Sequence, residues 1–234
     1  MVHSNGIKAV YLDLDGVSTL DTQGSETTFG FIHKNLGLQE RGISFKEFYK
    51  GYSDDDGKAR FMHPLERGEV NHEDIWEAFC DKVKIKIPIE MLYSAFRSTE
   101  MNLEVLYVAQ KIAYTGKYFV GMITDNPHDR MEAIIAKYSL DSLFNPIVVS
   151  SDSDVRTLKK DPKTRNFVVA SSRSGISLED SIFIDNSGGN VEAAKKQGIH
   201  AEIFDDSVLR DDARRRKEVV RIEYLLKNNY GLNF

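Results

Sequence analysis

The chain has 234 residues, of which 41% are hydrophobic and 29% charged, and its formal net charge is −5 at pH 7. Its five prolines and 16 glycines are ordinary numbers for a globular protein, which excludes collagen-like, low-complexity and wholly disordered chains. The acidic balance gives no general electrostatic reason to bind nucleic acid or an anionic membrane. The length suits one large domain, or one domain that carries a smaller inserted one.

The single cysteine, Cys80, excludes an internal disulfide and any site that needs paired cysteines. No run of apolar residues is long enough to span a bilayer, and the polar start of the chain lacks the apolar centre of a secretory signal. We therefore expect a cytoplasmic protein, a monomer or homodimer, without membrane or nucleic-acid partners.

Five short apolar runs predict the strands of one sheet. The first, at 7–13, is almost continuously hydrophobic, which is typical of a strand buried on both faces of a parallel sheet. The other four runs lie at 118–124, 146–150, 181–185 and 200–204. Helical patterns separate them, at 102–115, 129–138, 161–172 and 190–197. This alternation predicts an α/β fold with a doubly wound, mostly parallel Rossmann-like sheet and helices on both faces.

Residues 20–98 interrupt this alternation. They contain no convincing strand and instead show short amphipathic helical patterns at 45–51, 71–83 and 88–96. Asn71, followed by acidic residues, marks the start of one of these helices. We therefore predict a helical domain of residues 20–98, inserted into an α/β core that consists of residues 1–19 and 99–234.

Acidic residues follow three of the predicted strands. Asp13 and Asp15 come at the end of the first strand, Thr124 and Asp125 at the end of the second, and Asp185 at the end of the fourth. In an open α/β sheet, ligands bind outside the carboxyl ends of the strands. Distant parts of the chain should therefore deliver these side chains to one edge of the sheet.

Carboxylates combined with a hydroxyl group and a lysine suit phosphoryl transfer. Carboxylate and main-chain oxygens are the ligands that Mg²⁺ prefers. One carboxylate can attack phosphorus, and a second one, two residues further along, can protonate the leaving oxygen and later take a proton from water. A threonine hydroxyl and a lysine ammonium can hold the phosphoryl oxygens.

Four segments, in order along the chain, resemble the motifs of haloacid dehalogenase-like (HAD) hydrolases, a superfamily dominated by Mg²⁺-dependent phosphatases. Residues 13–17 (DLDGV) match its first motif, DxDGV, and residues 123–126 (ITDN) match the second, a Thr or Ser after a hydrophobic strand. Residues 158–162 (LKKDP) are similar to the third motif, K-P-D-P. Residues 183–194 (FIDNSGGNVEAA) resemble the fourth, F-x-D-D-S-x-x-N-x-x-A-A. The insertion resembles the helical cap domain of one subgroup.

The resemblance implies a role for each matching residue. Asp13 would be the nucleophile and Asp15 the general acid/base, and Thr124 and Lys159 would complete the catalytic set. Four residues would bind the substrate phosphate: Thr124, Asp125, Asn126 and Lys159. Four would hold Mg²⁺: Asp13, Asp15, Asp185 and Asn186.

The chain departs from the family pattern at two positions. Lys160 replaces the usual proline of the third motif, and Lys159 is assigned as the functional lysine from its register with the following Asp-Pro pair. Asn186 replaces the second aspartate of the fourth motif. Its amide oxygen can bind Mg²⁺ but brings no charge, so either metal affinity is lower or Asp185 takes over as the ligand.

The sequence thus predicts a phosphatase that hydrolyses a small phosphorylated metabolite through an aspartyl-phosphate on Asp13. The segment LERGEV at 65–70 is similar to the cap of phosphatases that act on sugar phosphates, which implies that substrate class. The alternatives are a haloacid dehalogenase, a phosphomutase, and a non-catalytic binding protein that retains the fold. Asp15 favours phosphate over halide. Three basic cap residues could face either substrate or solvent: Arg60, His63 and Arg67.

Overall fold

A computed structural model describes residues 6–21, 24–52 and 61–234. In this part of the chain five strands form a single sheet with the order β3-β2-β1-β4-β5, and every neighbouring pair is parallel. The strands are β1 (Ala9–Leu12), β2 (Phe119–Thr124), β3 (Ile147–Val149), β4 (Ser181–Asp185) and β5 (His200–Ile203). All five match the predicted runs. The strand order reverses at β1, which makes the carboxyl end of β1 the expected position of a ligand.

Helices cover both faces of the sheet, because alternate residues of each strand point to opposite sides. Val10 and Leu12 of β1 are buried in one hydrophobic cluster, and Ala9 and Tyr11 in another. The first cluster includes residues of α6 (Leu103–Tyr114), α7 (His128–Tyr138) and α10 (Asp212–Asn228). The second includes residues of α8 (Asn166–Ser174) and α9 (Gly188–Lys196). The predicted doubly wound α/β fold is confirmed.

One predicted helix begins later than the sequence pattern indicates. The pattern places it at 161–172, but α8 begins at Asn166, and residues 161–165 form a bend, a turn and irregular loop. The side chain of Asp161 accepts a hydrogen bond from the main-chain N–H of Leu158 at 2.9 Å, and Asn166 donates to the carbonyl of Thr157 at 2.6 Å. These bonds close the loop that precedes α8, and this loop carries Lys159.

Between β1 and α6, the described residues form five α-helices: α1 (Gly24–Asn35), α2 (Phe45–Lys50), α3 (Met62–Glu66), α4 (His72–Val83) and α5 (Ile89–Arg97). They share a hydrophobic cluster of their own, rich in aromatic residues such as Phe29, Phe79 and Phe96. The predicted start of α4 is confirmed, because Asn71 and Asp74 form a reciprocal capping box. The sequence pattern did not predict α1 or α3.

The two connections between this helical region and the sheet run side by side. Thr19 and Met101 form an antiparallel bridge, and the side chain of Asn102 donates to the carbonyl of Val17 at 3.0 Å. The helical region therefore leaves and rejoins the core at one place. Among the residues that the structure describes, none of the helices has the length and apolar character needed to cross a membrane.

Candidate active site

The predicted site residues follow three adjacent strands. Asp13 comes directly after β1, Thr124 is the last residue of β2, and Asp185 is the last residue of β4. Because β1 pairs with both β2 and β4, these three ends meet at the centre of the carboxyl edge. Distant parts of the chain therefore bring Asp13, Thr124 and Asp185 to one edge of the sheet, as the sequence predicts.

A tight turn follows β1 and presents Asp13 at the edge of the sheet. The Asp13 carboxylate accepts a hydrogen bond from the main-chain N–H of Leu14 at 2.8 Å, and its carbonyl accepts one from the hydroxyl of Ser18 at 2.7 Å. Gly16 has φ +76°, and a Cβ at this position would lie 2.3 Å from the side-chain nitrogen of Asn186. Only glycine therefore fits the turn without displacing its neighbour.

Lys159 lies between two of the predicted carboxylates. Its Nζ is 2.7 Å from Oδ1 of Asp13 and 2.6 Å from Oδ2 of Asp185, and its side chain is 1% exposed. The main-chain N–H of Lys159 also donates to the carboxylate of Asp125, at 3.0 and 3.2 Å. The buried ammonium group of Lys159 thus connects the loop before α8 to the carboxyl ends of β1 and β4. The main chain of the same residue connects this loop to the end of β2.

This part of the site contains more negative than positive charge. Burial and the nearby Asp185 raise the pKa of Asp13 well above its usual range, although Lys159 acts in the opposite direction. Burial also raises the pKa of Asp125 to about 6, again against the effect of Lys159. Burial opposes the charged form of Lys159, but Asp13 and Asp185 raise the lysine pKa overall. Three carboxylates share one lysine, and a further cation would reduce their repulsion.

Asp185 and Asn186, two neighbouring residues of the fourth motif, have different hydrogen-bond partners. Asp185 accepts from the main-chain N–H of Ser187 at 2.7 Å and from the amide of Asn190 at 3.1 and 3.2 Å, in addition to Lys159. Asn186 instead donates from its amide nitrogen to Asp206 at 2.8 Å. The sequence reasoning missed Asp206. This residue lies just beyond β5 and places a carboxylate beside Asn186.

Asp15 does not point to the same lysine as Asp13. Its Oδ1 is 2.8 Å from Nη2 of Arg130, and its Oδ2 is 2.8 Å from Nη1 of the same side chain. Asn126 donates to Oδ2 of Asp15 at 3.1 Å and to the hydroxyl of Thr124 at 2.7 Å. Thr124, Asn126 and Asp15, all identified from the sequence, therefore lie together. Arg130 was missed, although it lies only four residues after Asn126.

The end of α3 and the turn after it lie against the core loops at the site. The hydroxyl of Ser150 donates to the carbonyl of Glu66, and Arg67 donates to the carboxylate of Asp161, with both N–O distances at 3.2 Å. Gly68 has φ +62°, and a Cβ there would lie 2.4 Å from the carbonyl oxygen of Ser151. The backbones of this turn and the loop after β3 are therefore in close contact.

The Glu66 side chain is 16% exposed and lies 3.2 Å from Nδ1 of His63. Burial, and to a smaller extent the charge of Asp125, raise its pKa to about 8. Of the three basic residues that could face either substrate or solvent, Arg67 binds Asp161 in the loop of Lys159, and His63 contacts Glu66. Arg60 lies outside the described residues.

The donor chemistry of the site fits a divalent cation. Carboxylates and an amide oxygen are suitable Mg²⁺ ligands, and the surplus of carboxylates around Lys159 is the charge that such a cation would balance. Within the described ranges, no three acidic, histidine or cysteine side chains are grouped to hold a metal ion as they stand. Lys159 lies between Asp13 and Asp185, and Arg130 binds Asp15.

Comparison with known proteins identifies the fold. No family model matches the sequence, and no curated protein matches it either. Many solved structures match the coordinates, and those described below include a HAD family enzyme and a predicted HAD-like family hydrolase. The chain therefore has the HAD fold, as the motifs predicted.

Three solved structures illustrate this similarity. The first is a predicted HAD-like family hydrolase from Porphyromonas gingivalis, with 18% identity, a TM-score of 0.63 and coverage of 90% of this chain and 97% of that one. The second is a HAD family enzyme from Bacteroides thetaiotaomicron in complex with magnesium and inorganic phosphate, with 17% identity, a TM-score of 0.60 and coverage of 85% and 94%. The third is the L-2-haloacid dehalogenase of Xanthobacter autotrophicus, with 16% identity, a TM-score of 0.57 and coverage of 85% and 77%.

Proposed function

We propose that this chain is a Mg²⁺-dependent phosphatase of the HAD superfamily that hydrolyses a small phosphorylated metabolite, with sugar phosphates as the first substrates to test. The observation that carries the proposal is the position of Lys159, whose ammonium lies within 2.7 Å of both Asp13 and Asp185 at the carboxyl edge of the sheet. The similar enzyme from Bacteroides thetaiotaomicron was crystallised with magnesium and inorganic phosphate, which supports the same ligand chemistry here.

In this proposal Asp13 attacks phosphorus and the bond to the leaving oxygen breaks. Asp15 is the carboxylate that protonates the leaving oxygen and then takes a proton from the water that hydrolyses the aspartyl-phosphate. Lys159 and the hydroxyl of Thr124 bind the phosphoryl oxygens. Asn126 contributes through its amide, and Asp125 through its main chain, because the Asp125 carboxylate already accepts from the main-chain N–H of Lys159.

Mg²⁺ would be held by Asp13, Asp15, Asp185 and Asn186, with Asp15 contributing its main-chain oxygen because both oxygens of its carboxylate are bonded to Arg130. When bound, the ion would neutralise charge on the phosphoryl oxygens. The buried surplus of carboxylates supports this assignment. Asp206, bonded to Asn186 at 2.8 Å, adds a nearby negative charge that partly replaces the missing aspartate. The asparagine at position 186 would therefore lower the Mg²⁺ affinity less than the sequence motif alone indicates.

We also propose that residues 20–98 form a cap domain over a core of residues 1–19 and 99–234. The aromatic hydrophobic cluster of α1–α5 supports this division, as does the bridge between Thr19 and Met101, which brings the two connections together. The contacts of Glu66 and Arg67 with core loops would place one edge of the cap beside the phosphate site and give it a part in substrate selection.

A haloacid dehalogenase is the second candidate, and it is favoured by the structural similarity to the Xanthobacter autotrophicus enzyme. A halide leaves without a proton, so this reaction has no use for a carboxylate at the position of Asp15. Phosphatase activity does use one, and for that reason we place it first.

The proposal is tested by incubating the purified protein and Mg²⁺ with a panel of phosphorylated metabolites and with 2-haloacids, and measuring released phosphate and halide. We expect phosphate release that stops on chelation and falls by several orders of magnitude in Asp13→Asn. Asp141→Asn is the matched control, because Asp141 is an exposed residue outside the site. Halide release alone would replace the proposal with the second candidate, and release of neither product would contradict both.

A further inference from the structure

Arg130 occupies a position that is unfavourable for a positive charge. It lies in the first turn of α7, where the helix dipole favours negative groups, and its side chain is only 4% exposed. Asp129, the acidic residue of the same turn, has its carboxylate bonded to His72 at 2.8 and 2.9 Å. A buried arginine at a helix N-terminus needs compensation from elsewhere in the fold.

Asp15 provides that compensation. The two side chains form two parallel hydrogen bonds of 2.8 Å, which is the rigid fork that arginine makes with carboxylates and lysine does not. Burial opposes the charged form of Arg130, but the neighbouring Asp15 carboxylate raises the arginine pKa overall. The pair is therefore a specific contact between α7 and the turn after β1.

Asn126 closes a ring around this pair. Its amide oxygen accepts from Nη1 of Arg130, and its amide nitrogen donates to Oδ2 of Asp15 at 3.1 Å. The main-chain N–H of Asn126 is bonded to the hydroxyl of Ser150 at 3.0 Å, so the ring is anchored to the loop after β3. The carboxylate of Asp15 is thus fixed in direction by groups from two neighbouring loops and a helix.

We propose that Arg130 is a positioning residue, which sets the orientation of the Asp15 carboxylate relative to the bond that the enzyme breaks. The inference rests on the proposed phosphatase function and assigns Arg130 a role through Asp15, without contact to the substrate. Loss of the fork leaves Asp15 free to rotate, and a small misplacement of a catalytic group lowers the rate steeply. The effect should fall on kcat and leave KM unchanged.

The first experiment compares Arg130→Lys and Arg130→Gln with the wild type. Lysine keeps the charge and loses the fork, so we expect kcat to fall on the order of 10–100-fold in both variants, with KM within about twofold. Arg173→Lys is the matched control, because Arg173 also pairs with carboxylates, Asp152 and Asp154, but outside the site. A rise in KM as the main effect, or full activity in Arg130→Lys, would overturn the proposal.

A double-mutant cycle tests whether Arg130 acts through Asp15. If it does, Asp15→Asn combined with Arg130→Lys should be no slower than Asp15→Asn alone. The loss in Arg130→Lys should also be larger for alkyl phosphates, whose leaving oxygen needs a proton, than for 4-nitrophenyl phosphate, whose leaving group departs readily. Multiplicative losses in the cycle, or equal losses for both kinds of substrate, would overturn the proposal.

A crystal structure of the wild-type protein with magnesium and inorganic phosphate tests the geometry without a variant that has to fold. We expect the two hydrogen bonds between Arg130 and Asp15 to persist while phosphate is bound near Lys159. Direct contact of Arg130 with the phosphate would overturn the positioning role. The two claims fail on different measurements. If the wild-type protein releases phosphate from no substrate, the proposed phosphatase function is refuted. If the protein is an active phosphatase but Arg130 does not bond to Asp15 in the complex, only the positioning role of Arg130 is refuted.

Discussion

Glu66 gives the clearest prediction of how stability depends on pH. Burial raises its pKa to about 8 from an ordinary value of 4.5, so the folded protein favours the protonated, uncharged form. The stability that the protein gains by keeping Glu66 uncharged is fully present below the ordinary pKa of 4.5. This stability is lost as the pH rises through the folded-state pKa of about 8. Glu66→Gln keeps the shape of the side chain and removes the titrating charge.

The size of the effect follows from the two pKa values. With about 1.4 kcal/mol for each pKa unit, the change from 4.5 to about 8 corresponds to an upper value of about 5 kcal/mol. At about pH 5 the wild type and Glu66→Gln should differ little in the free energy of unfolding, because the glutamine amide can still bond to His63. By about pH 9, the free energy of unfolding of Glu66→Gln relative to that of the wild type should have risen by about 2–4 kcal/mol.

Urea unfolding in the presence of a chelator, repeated across this pH range, measures the difference. Glu69→Gln is the matched control, because Glu69 is exposed and lies three residues further along the same segment, and its difference from the wild type should stay constant with pH. A difference between wild type and Glu66→Gln that does not change with pH would refute the reasoning. Such a result would mean that Glu66 is hydrated and charged in the folded protein.

Three further changes test the contacts around the site. Gly68→Ala places a methyl group 2.4 Å from the carbonyl oxygen of Ser151 at a positive φ, so we expect urea unfolding to show a loss of about 1–3 kcal/mol; unchanged stability would contradict the close contact. Lys159→Met removes the positive partner of two buried carboxylates and should lower the free energy of unfolding by about 3–5 kcal/mol. A loss below about 1 kcal/mol would show that these carboxylates are hydrated. Asn186 lies 2.8 Å from Asp206, so Asn186→Asp should destabilise the metal-free protein by placing two carboxylates side by side. Calorimetry should show that the variant binds Mg²⁺ about tenfold more tightly, or by about 1.4 kcal/mol. Weaker Mg²⁺ binding would show that this residue does not adjoin the metal.

Much of the fold could be predicted because buried parallel strands have a strong sequence signal. Their apolar runs end abruptly, so the ends at Asp13, Thr124 and Asp185 were visible, and the sheet brings these ends together. The start of α4 was visible for a different reason, because Asn71 and Asp74 satisfy each other's main-chain groups locally.

The features that were missed depend on contacts between distant parts of the chain. Arg130 resembles an ordinary surface residue of an amphipathic helix until the turn after β1 packs against it and brings Asp15 within 2.8 Å. Asp206 becomes relevant only because β5 lies beside β4. The helix predicted from residue 161 begins at Asn166 because the side chain of Asp161 bonds back to the loop before it, which periodicity does not reveal. The roles of the site residues remain predictions.

The most direct test of the account is detection of a phosphoryl group on Asp13. The protein is mixed with 4-nitrophenyl phosphate and Mg²⁺, quenched in acid within one turnover, and digested for peptide mass spectrometry, with Asp13→Asn treated in the same way. We predict that the peptide containing Asp13 gains the mass of one phosphoryl group in the wild type only. Phosphate release without any modified peptide, or a phosphoryl group that persists in Asp13→Asn, would contradict the account.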